Sequence, residues 1–375
     1  MPVNVADTRA GVDAALTVLG DLAEVDVPLA PMTTYRVGGA ADVFVKVRRI
    51  EDLEVVADAL RISGLPLLVI GRGSNLLVND AGFHGIAVSI AAVADTVSIG
   101  TPGEQEVPAP GGGSHGTDSV LVEAGSAVLL PVLARKTVTA GLTGFEWAVG
   151  VPGSVGGAVR MNAGGHGSDM SASLVDVVLV DLARQRPAPG TSEHAPADRP
   201  TADHPVAGGR TTDHADGRSG GGGNQEPTSL LRRVPAGELG LRFRGSDLPS
   251  TSVVVSARLR LTVGDPARGQ RELSEIVAWR RANQPGGQNA GSVFVNPVPG
   301  EVSAGELVDR VGLRGHRLGT ATVSDKHANF IQADEGGTAR DVVELMAFVR
   351  RRVLDETGFA LLSEIRLIGF EQPWD

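Results

Sequence analysis

Two glycine-dense turns, GRGSNLL (71–77) and GVPGSVGGA (150–158), interrupt otherwise apolar sequence and limit what this chain can build. The first follows LPLLVIG (65–71), a short apolar run with strand character. Before that run, Leu53, Val56 and Leu60 recur at helical spacing until Gly64. A loop at the end of such a strand–helix–strand unit is the usual ligand position in an α/β layer. Gly71 and Gly73 permit positive φ and close main-chain approach, and they flank Arg72. Ser74 and Asn75 can donate to phosphate oxygens, and successive N–H groups can form an anion-binding nest. A plain tight turn is an equally good reading of this segment alone.

The second turn carries Gly150, Gly153, Gly156 and Gly157 together with Pro152 and Ser154. That density exposes main-chain donors to a pyrophosphate; a flexible loop is the other reading. The apolar flanks and the following MNAG argue for order. Neither turn fits G-x-G-x-x-G before a helix, so a Rossmann-type site is not supported. Two separate turns suggest a diphosphate held between two subdomains.

At 375 residues the chain exceeds what one core usually serves. Residues 1–20 read as a loose arm or short helix. Residues 21–92 and 93–265 read as two subdomains, and 266–375 as a C-terminal α+β unit. Further strands are expected near 86–90, 95–99, 119–123, 174–182, 253–263 and 360–370. Helices are expected over about 127–140 and 266–282. SAGE (303–306) and TARD (338–341) are capping-box patterns, the second opening a helix with Val342, Leu345, Met346, Val349 and Val353. Residues 184–228 have no aromatic and only Val206 as a β-branched aliphatic, which points to a disordered insertion. Its His194, His204 and His214 fit no tight ligand set, so no metal site is expected.

A formal charge of −10 gives no bulk attraction for nucleic acid or an anionic membrane. An anionic ligand must be met by local donors. No signal peptide or membrane span is visible, and the absence of cysteine fits a reducing cytoplasm. No obligate protein partner is evident.

Three segments hold further candidates. In QNAGSVFVNP (288–297), Ser292 follows a small-residue turn and is either an exposed hydroxyl or a turn serine bonded to its own backbone. In SEIR (363–366), Glu364 lies in an apolar strand opposite in direction to Ile365, and is either raised in pKa by burial or paired with an arginine. In LRFRGSDL (241–248), Arg242 and Arg244 share a strand face, suited to a carboxylate or else simply solvated.

As an ordered set, GSNLL, GVPGSVGGAVRMNAG, NAGSVFVNP and SEIR resemble the UDP-N-acetylenolpyruvoylglucosamine reductase family. The likeness runs from PMTTYRVGGAADVFV (31–45) to about residue 370. It implies an α+β protein: a two-subdomain FAD-binding fold of the vanillyl-alcohol-oxidase type plus a C-terminal substrate-binding domain. It implies NADPH as reductant, FAD bound non-covalently, and a UDP-sugar enolpyruvyl ether as substrate. It implies cofactor contacts at Tyr35, Arg36, Val37, Gly38, Asn162 and Gly164, besides both turns. Ser292 matches the family's proton donor, and Arg244 and Glu364 its charge-stabilising pair. NAGGHG stands where the family often has NAGAYG, so His166 replaces a tyrosine. No tyrosine lies between residues 262 and 280, which resembles the branch lacking a tyrosine-bearing substrate loop. A flavin-dependent oxidase of the same fold is the competing reading.

Overall fold

The computed structural model describes residues 5–102, 118–183 and 231–370. The insertion expected at 184–228 lies outside the described residues, as does most of the Gly-rich loop at 100–117.

The first unit is a four-stranded sheet in the order Ala23–Pro28, Ala40–Lys46, Phe83–Ser89, Leu67–Val69. The first pair is antiparallel and the others parallel. Strand periodicity divides its two faces. Val43, Val45, Ile86 and Val88 face helices α1 (Val5–Leu19) and α2 (Asp52–Ser63). The intervening Phe44 and Ala87 turn to a second cluster with Leu29 and Ile70. Leu53 and Val56 of α2 are fully buried, and Gly64 ends the helix in the left-handed region, its N–H donating to Leu60 O. Of the two readings for the N-terminal segment, Val5–Leu19 takes the helical one, and Ala15 and Leu19 are part of the same core.

The second unit is an antiparallel sheet in the order Leu231–Pro235, Leu174–Asp181, Ser252–Val263, Ser119–Gly125, Val97–Ile99. Both long connections outside the described residues join neighbouring strands of this sheet. Val180 stands opposite Leu231 at one edge, and Ile99 opposite Val122 at the other. Helices α3 (Leu130–Thr139), α4 (Val155–Met161) and α5 (Pro266–Asn283) cover the sheet. The sequence groups α5 with the C-terminal unit. Its Leu273 and Ile276 are instead buried with α3 residues Leu133 and Val138, so this helix belongs to the second core.

The C-terminal unit packs α6 (Ala304–Arg310) and α7 (Ala339–Thr357) on a small antiparallel sheet of Arg317–Leu318, Ala321–Val323 and Ile331–Ala333. Val342, Leu345, Met346, Val349 and Val353 form the buried stripe of α7. Each such side chain contributes roughly 1.5–3 kcal/mol, and Met346→Ala would cost about 2–5 kcal/mol. Ser303 and Glu306 make the full reciprocal cap expected for α6. The matching expectation for α7 is half met. Thr338 accepts from Asp341 N–H, but the Asp341 carboxylate turns to Thr320. The first α7 amides, of Ala339 and Arg340, are taken by Asp80 of the first unit.

The last strand is shorter than the expected 360–370. Only Arg366–Ile368 is regular, and it pairs in parallel with Leu76–Val78 of the first unit. Just before it the chain is held elsewhere: Glu364 N–H donates to Val293 O at 2.9 Å, and Ser363 bridges Phe294. The final segment thus ties the C-terminal unit to the first. The expected α+β architecture, two subdomains followed by a C-terminal unit, is the one observed.

Candidate active site

The units meet around a cleft of about 500 Å³. Both glycine-dense turns line it, one through Gly71, Arg72, Gly73, Ser74 and Asn75, the other through Gly150, Pro152, Gly153, Ser154 and Gly157. The turns nearly touch. A Cβ on Gly71 would lie 2.6 Å from Ser154 Oγ, and a Cβ on Gly73, whose φ is +63°, would lie 2.2 Å from Met32 O. Gly164 also lines the cleft, while Gly156 lines an adjoining hollow of about 200 Å³.

Other expected cofactor residues do not line the cleft. Tyr35 is fully buried in the C-terminal core with Val37, and its hydroxyl donates to Ile331 O at 3.1 Å. Burial pushes its phenol far up. Arg36 has φ +55° and donates its N–H to Thr33 Oγ1. Gly38, at φ +107°, lies against Val78, where no side chain would fit. This segment braces the first turn from behind, since Thr34 N–H donates to Gly73 O. Asn162 is buried and fully engaged. It donates to Asp169 and to Arg242 O and accepts from Ser171 N–H.

Through that bond, Asn162 anchors the loop that carries Arg244. The sequence suggests a strand with two arginines on one face. The loop is instead a tight turn in which Arg242 and Gly245 exchange backbone hydrogen bonds. Arg242 pairs outward with Asp247, while Arg244 adopts φ +57° and turns inward. A left-handed non-glycine residue is uncommon, and its cost persists only where surroundings enforce it. Here Ser246 Oγ also donates to Arg160 O at 2.8 Å, and the Arg244 guanidinium lies 5.0 Å over the Phe243 ring.

Arg244, Ser292 and Glu364 all line the cleft. Arg244 Nε donates to Glu364 Oε1 at 2.6 Å. Both readings of Glu364 therefore hold. Burial raises its pKa above the usual carboxylate range, and Arg244 opposes that rise without cancelling it. For Ser292 the structure decides between the two readings. Asn289 Oδ1 caps the preceding turn by accepting from Gly291 N–H at 3.0 Å. Among the described residues the Ser292 hydroxyl has no hydrogen-bond partner and opens on the cleft.

Asn75 does something the sequence does not suggest. Its Nδ2 donates to Glu364 O at 3.1 Å, and its carbonyl accepts from Arg366 N–H at 2.9 Å. With Glu364 N–H bonded to Val293 O, a ladder runs from the first glycine turn through Glu364 to the residue beside Ser292.

The cleft lining is strongly cationic in an acidic chain. Arg72, Arg160, Arg244, Arg280 and Arg366 line it, against Glu364 as the lining carboxylate, although the Arg160 guanidinium donates to the carbonyls of Leu248, Pro249 and Ser252. Concentrated cations of this kind draw a polyanion. Arg160, Trp279, Arg280 and Gln284 are absent from the sequence-derived site. The last three sit at the end of α5, where the QPGG break after a helix is the available signal. Gln284 Oε1 is buried at the cleft wall without a partner among the described residues, an acceptor suited to a ligand N–H. Close-set glycine turns, clustered guanidiniums and this acceptor fit a dinucleotide with a diphosphate and an imide-bearing ring, as in FAD.

A family model of the C-terminal domain of UDP-N-acetylenolpyruvoylglucosamine reductase matches residues 283–368, and an FAD binding domain model matches 41–181. The reductase of that name from Gloeobacter violaceus is 36% identical over 351 residues, 93% of this chain and 97% of the relative. The one from Heliobacterium modesticaldum is 34% identical over 344 residues, 91% of this chain and 89% of the relative. The chain belongs to the UDP-N-acetylenolpyruvoylglucosamine reductase family. The crystal structure of the Thermus caldophilus reductase matches with a TM-score of 0.64 at 28% identity, covering 92% of this chain and 98% of that one. Membership of the reductase family favours an FAD-dependent reductase over an oxidase. Among the described residues no helix is long and apolar enough to cross a membrane, and no metal-binding group of three or more His, Cys, Asp or Glu occurs.

Proposed function

We propose that this chain reduces the enolpyruvyl group of UDP-N-acetylglucosamine enolpyruvate to give UDP-N-acetylmuramate, with NADPH as reductant, in the cytoplasm during peptidoglycan synthesis. The observation that carries the reading is the cleft itself: a Ser292 hydroxyl without a partner among the described residues, the Arg244–Glu364 pair and both glycine turns line one space.

The two turns would hold the diphosphate of FAD through backbone donors, with Ser74 and Ser154 adding hydroxyls. FAD held there would supply the hydride-transfer chemistry that joins NADPH to the enol ether. Charge then grows beside the substrate carboxylate. Arg244, fixed by Phe243, Asn162 and Glu364, provides a preset cation for it. Glu364, raised by burial, accepts from Arg244 Nε and so fixes the direction in which that guanidinium faces the cleft. Ser292 delivers the proton to the adjacent carbon. A hydroxyl is a poor acid, so its placement must supply what its acidity does not.

Purified protein should be yellow and should oxidise NADPH only when the enolpyruvyl sugar nucleotide is present. Oxidation of NADPH at the same rate without that substrate, with peroxide formed, would defeat the proposal.

A further inference from the structure

The last turn of α5 presents three unlike groups to the cleft: the Trp279 indole, the Arg280 guanidinium and the Gln284 amide. Trp279 is 48% exposed in a chain with only three tryptophans and one tyrosine. It is not a loose surface ring. The His166 imidazole meets it edge to face, with centroids 5.2 Å apart and planes at 85°. His166 is itself set at φ +52° in the turn after α4. The His166 and Arg280 side chains converge on Gly150, where an added Cβ would lie 3.2 Å from Arg280 Cδ and 3.3 Å from His166 Nε2. Arg280 is partly buried, and among the described residues it has no carboxylate partner. A supported aromatic face beside an unpaired cation is the pattern that recognises a nucleotide: the ring stacks and the guanidinium takes phosphate.

Building on the reductase reading, we propose that Trp279 is a specificity-determining residue. Its indole, held by His166, stacks on the base of the nucleoside diphosphate entering the cleft, while Arg280 meets that molecule's phosphates. Two ligands of the proposed reaction carry this chemistry, the UDP-sugar and the pyridine nucleotide. Burial, and then Arg280, keep the His166 pKa below its ordinary value.

The experiment compares wild type, Trp279→Ala and Trp279→Phe as purified flavoproteins. Flavin content and absorption spectrum should be unchanged in both variants. In Trp279→Ala the KM of one nucleotide should rise between about five- and 150-fold, the range of one lost base stack, with kcat within threefold. Trp279→Phe should recover most of the loss. A rise for the UDP-sugar assigns the stack to uracil, and a rise for NADPH assigns it to the pyridine nucleotide. Unchanged KM for both, or flavin lost in step with rate, overturns the proposal. A second readout needs no turnover. UDP or 2′,5′-ADP should quench tryptophan fluorescence in wild type and not in Trp279→Phe; equal quenching in both overturns the proposal. Failure of the wild type to consume NADPH with the enolpyruvyl sugar nucleotide would instead count against the reductase reading, and the quenching arm separates the two.

Discussion

Arg244 and Glu364 lie 120 residues apart in sequence, yet the arginine Nε donates to the Glu364 carboxylate at 2.6 Å inside the cleft. Arg244 is 27% and Glu364 17% exposed in their side chains, so the pair is shielded well enough for each to govern the other's charge. Burial pushes the acid toward its neutral form, and the guanidinium pulls it back.

Arg244→Met should therefore move the titration of Glu364 further upward, because the carboxylate loses the cation that favours it. The pH profile of kcat/KM reads this shift, and a downward move would contradict it. The same variant should lose about 10²- to 10³-fold in kcat, the usual effect of removing one preset charge stabiliser.

Ser292→Ala should lower kcat by about 10²- to 10⁴-fold while leaving the flavin spectrum and melting temperature nearly unchanged. The hydroxyl has no protein partner among the described residues, so its removal leaves no buried group unsatisfied. Single-turnover measurement should show NADPH still reducing the flavin at the wild-type rate. Loss of that half-reaction would remove Ser292 from the proton-donor role.

Asn75→Ala should cost about 1 kcal/mol of stability, the worth of one hydrogen bond, and should shift the pH profile as well as lower kcat. The bond from Nδ2 to Glu364 O places the acid, so its loss should disturb the titration attributed to Glu364. A variant that lost flavin but kept the wild-type profile would show that Asn75 serves the cofactor alone.

Stability should depend on pH through two carboxylates of opposite sign. Glu364 is raised in the folded state, so the folded chain binds the extra proton. Stability should then fall as pH climbs from the ordinary 4.5 to the raised value, and Glu364→Gln should abolish that fall. Burial also pushes Asp176 upward, but hydrogen bonds from Arg258 and Arg233 outweigh it and hold the group below 3.8. Its contribution is complete above 3.8 and is lost as pH drops through the lowered value, a fall that Asp176→Asn should remove. Chemical denaturation at stepped pH checks both.

Helices were legible because their signals are local. The α7 stripe, the Ser303–Glu306 cap of α6 and the stop of α7 at Gly358 are each written within a single short stretch of chain. The glycine turns and Ser292 were legible as segments for the same reason. The Arg244 turn was not, because positive φ at an arginine is enforced by bonds to Asn162 and to the Arg160 carbonyl, both outside the segment. The last strand was overextended because apolar alternation cannot tell that Glu364 would bond to Val293 while Arg366 bonds to Asn75. Tyr35, expected near the cofactor, is buried behind the first turn, a distinction of depth that residue type does not carry. Trp279 and Arg280 escaped notice because a helix end rich in cations also reads as a solvated terminus.

Val180 facing Leu231, and Ile99 facing Val122, mean that each long connection departs from and rejoins its sheet on adjacent strands. Closing a longer loop costs only logarithmically more, so the number of residues spliced between such strands hardly weighs on the rest of the molecule. A grafted epitope or fluorescent tag spliced at either of these two sheet edges should therefore leave the dimensions of the cleft unchanged.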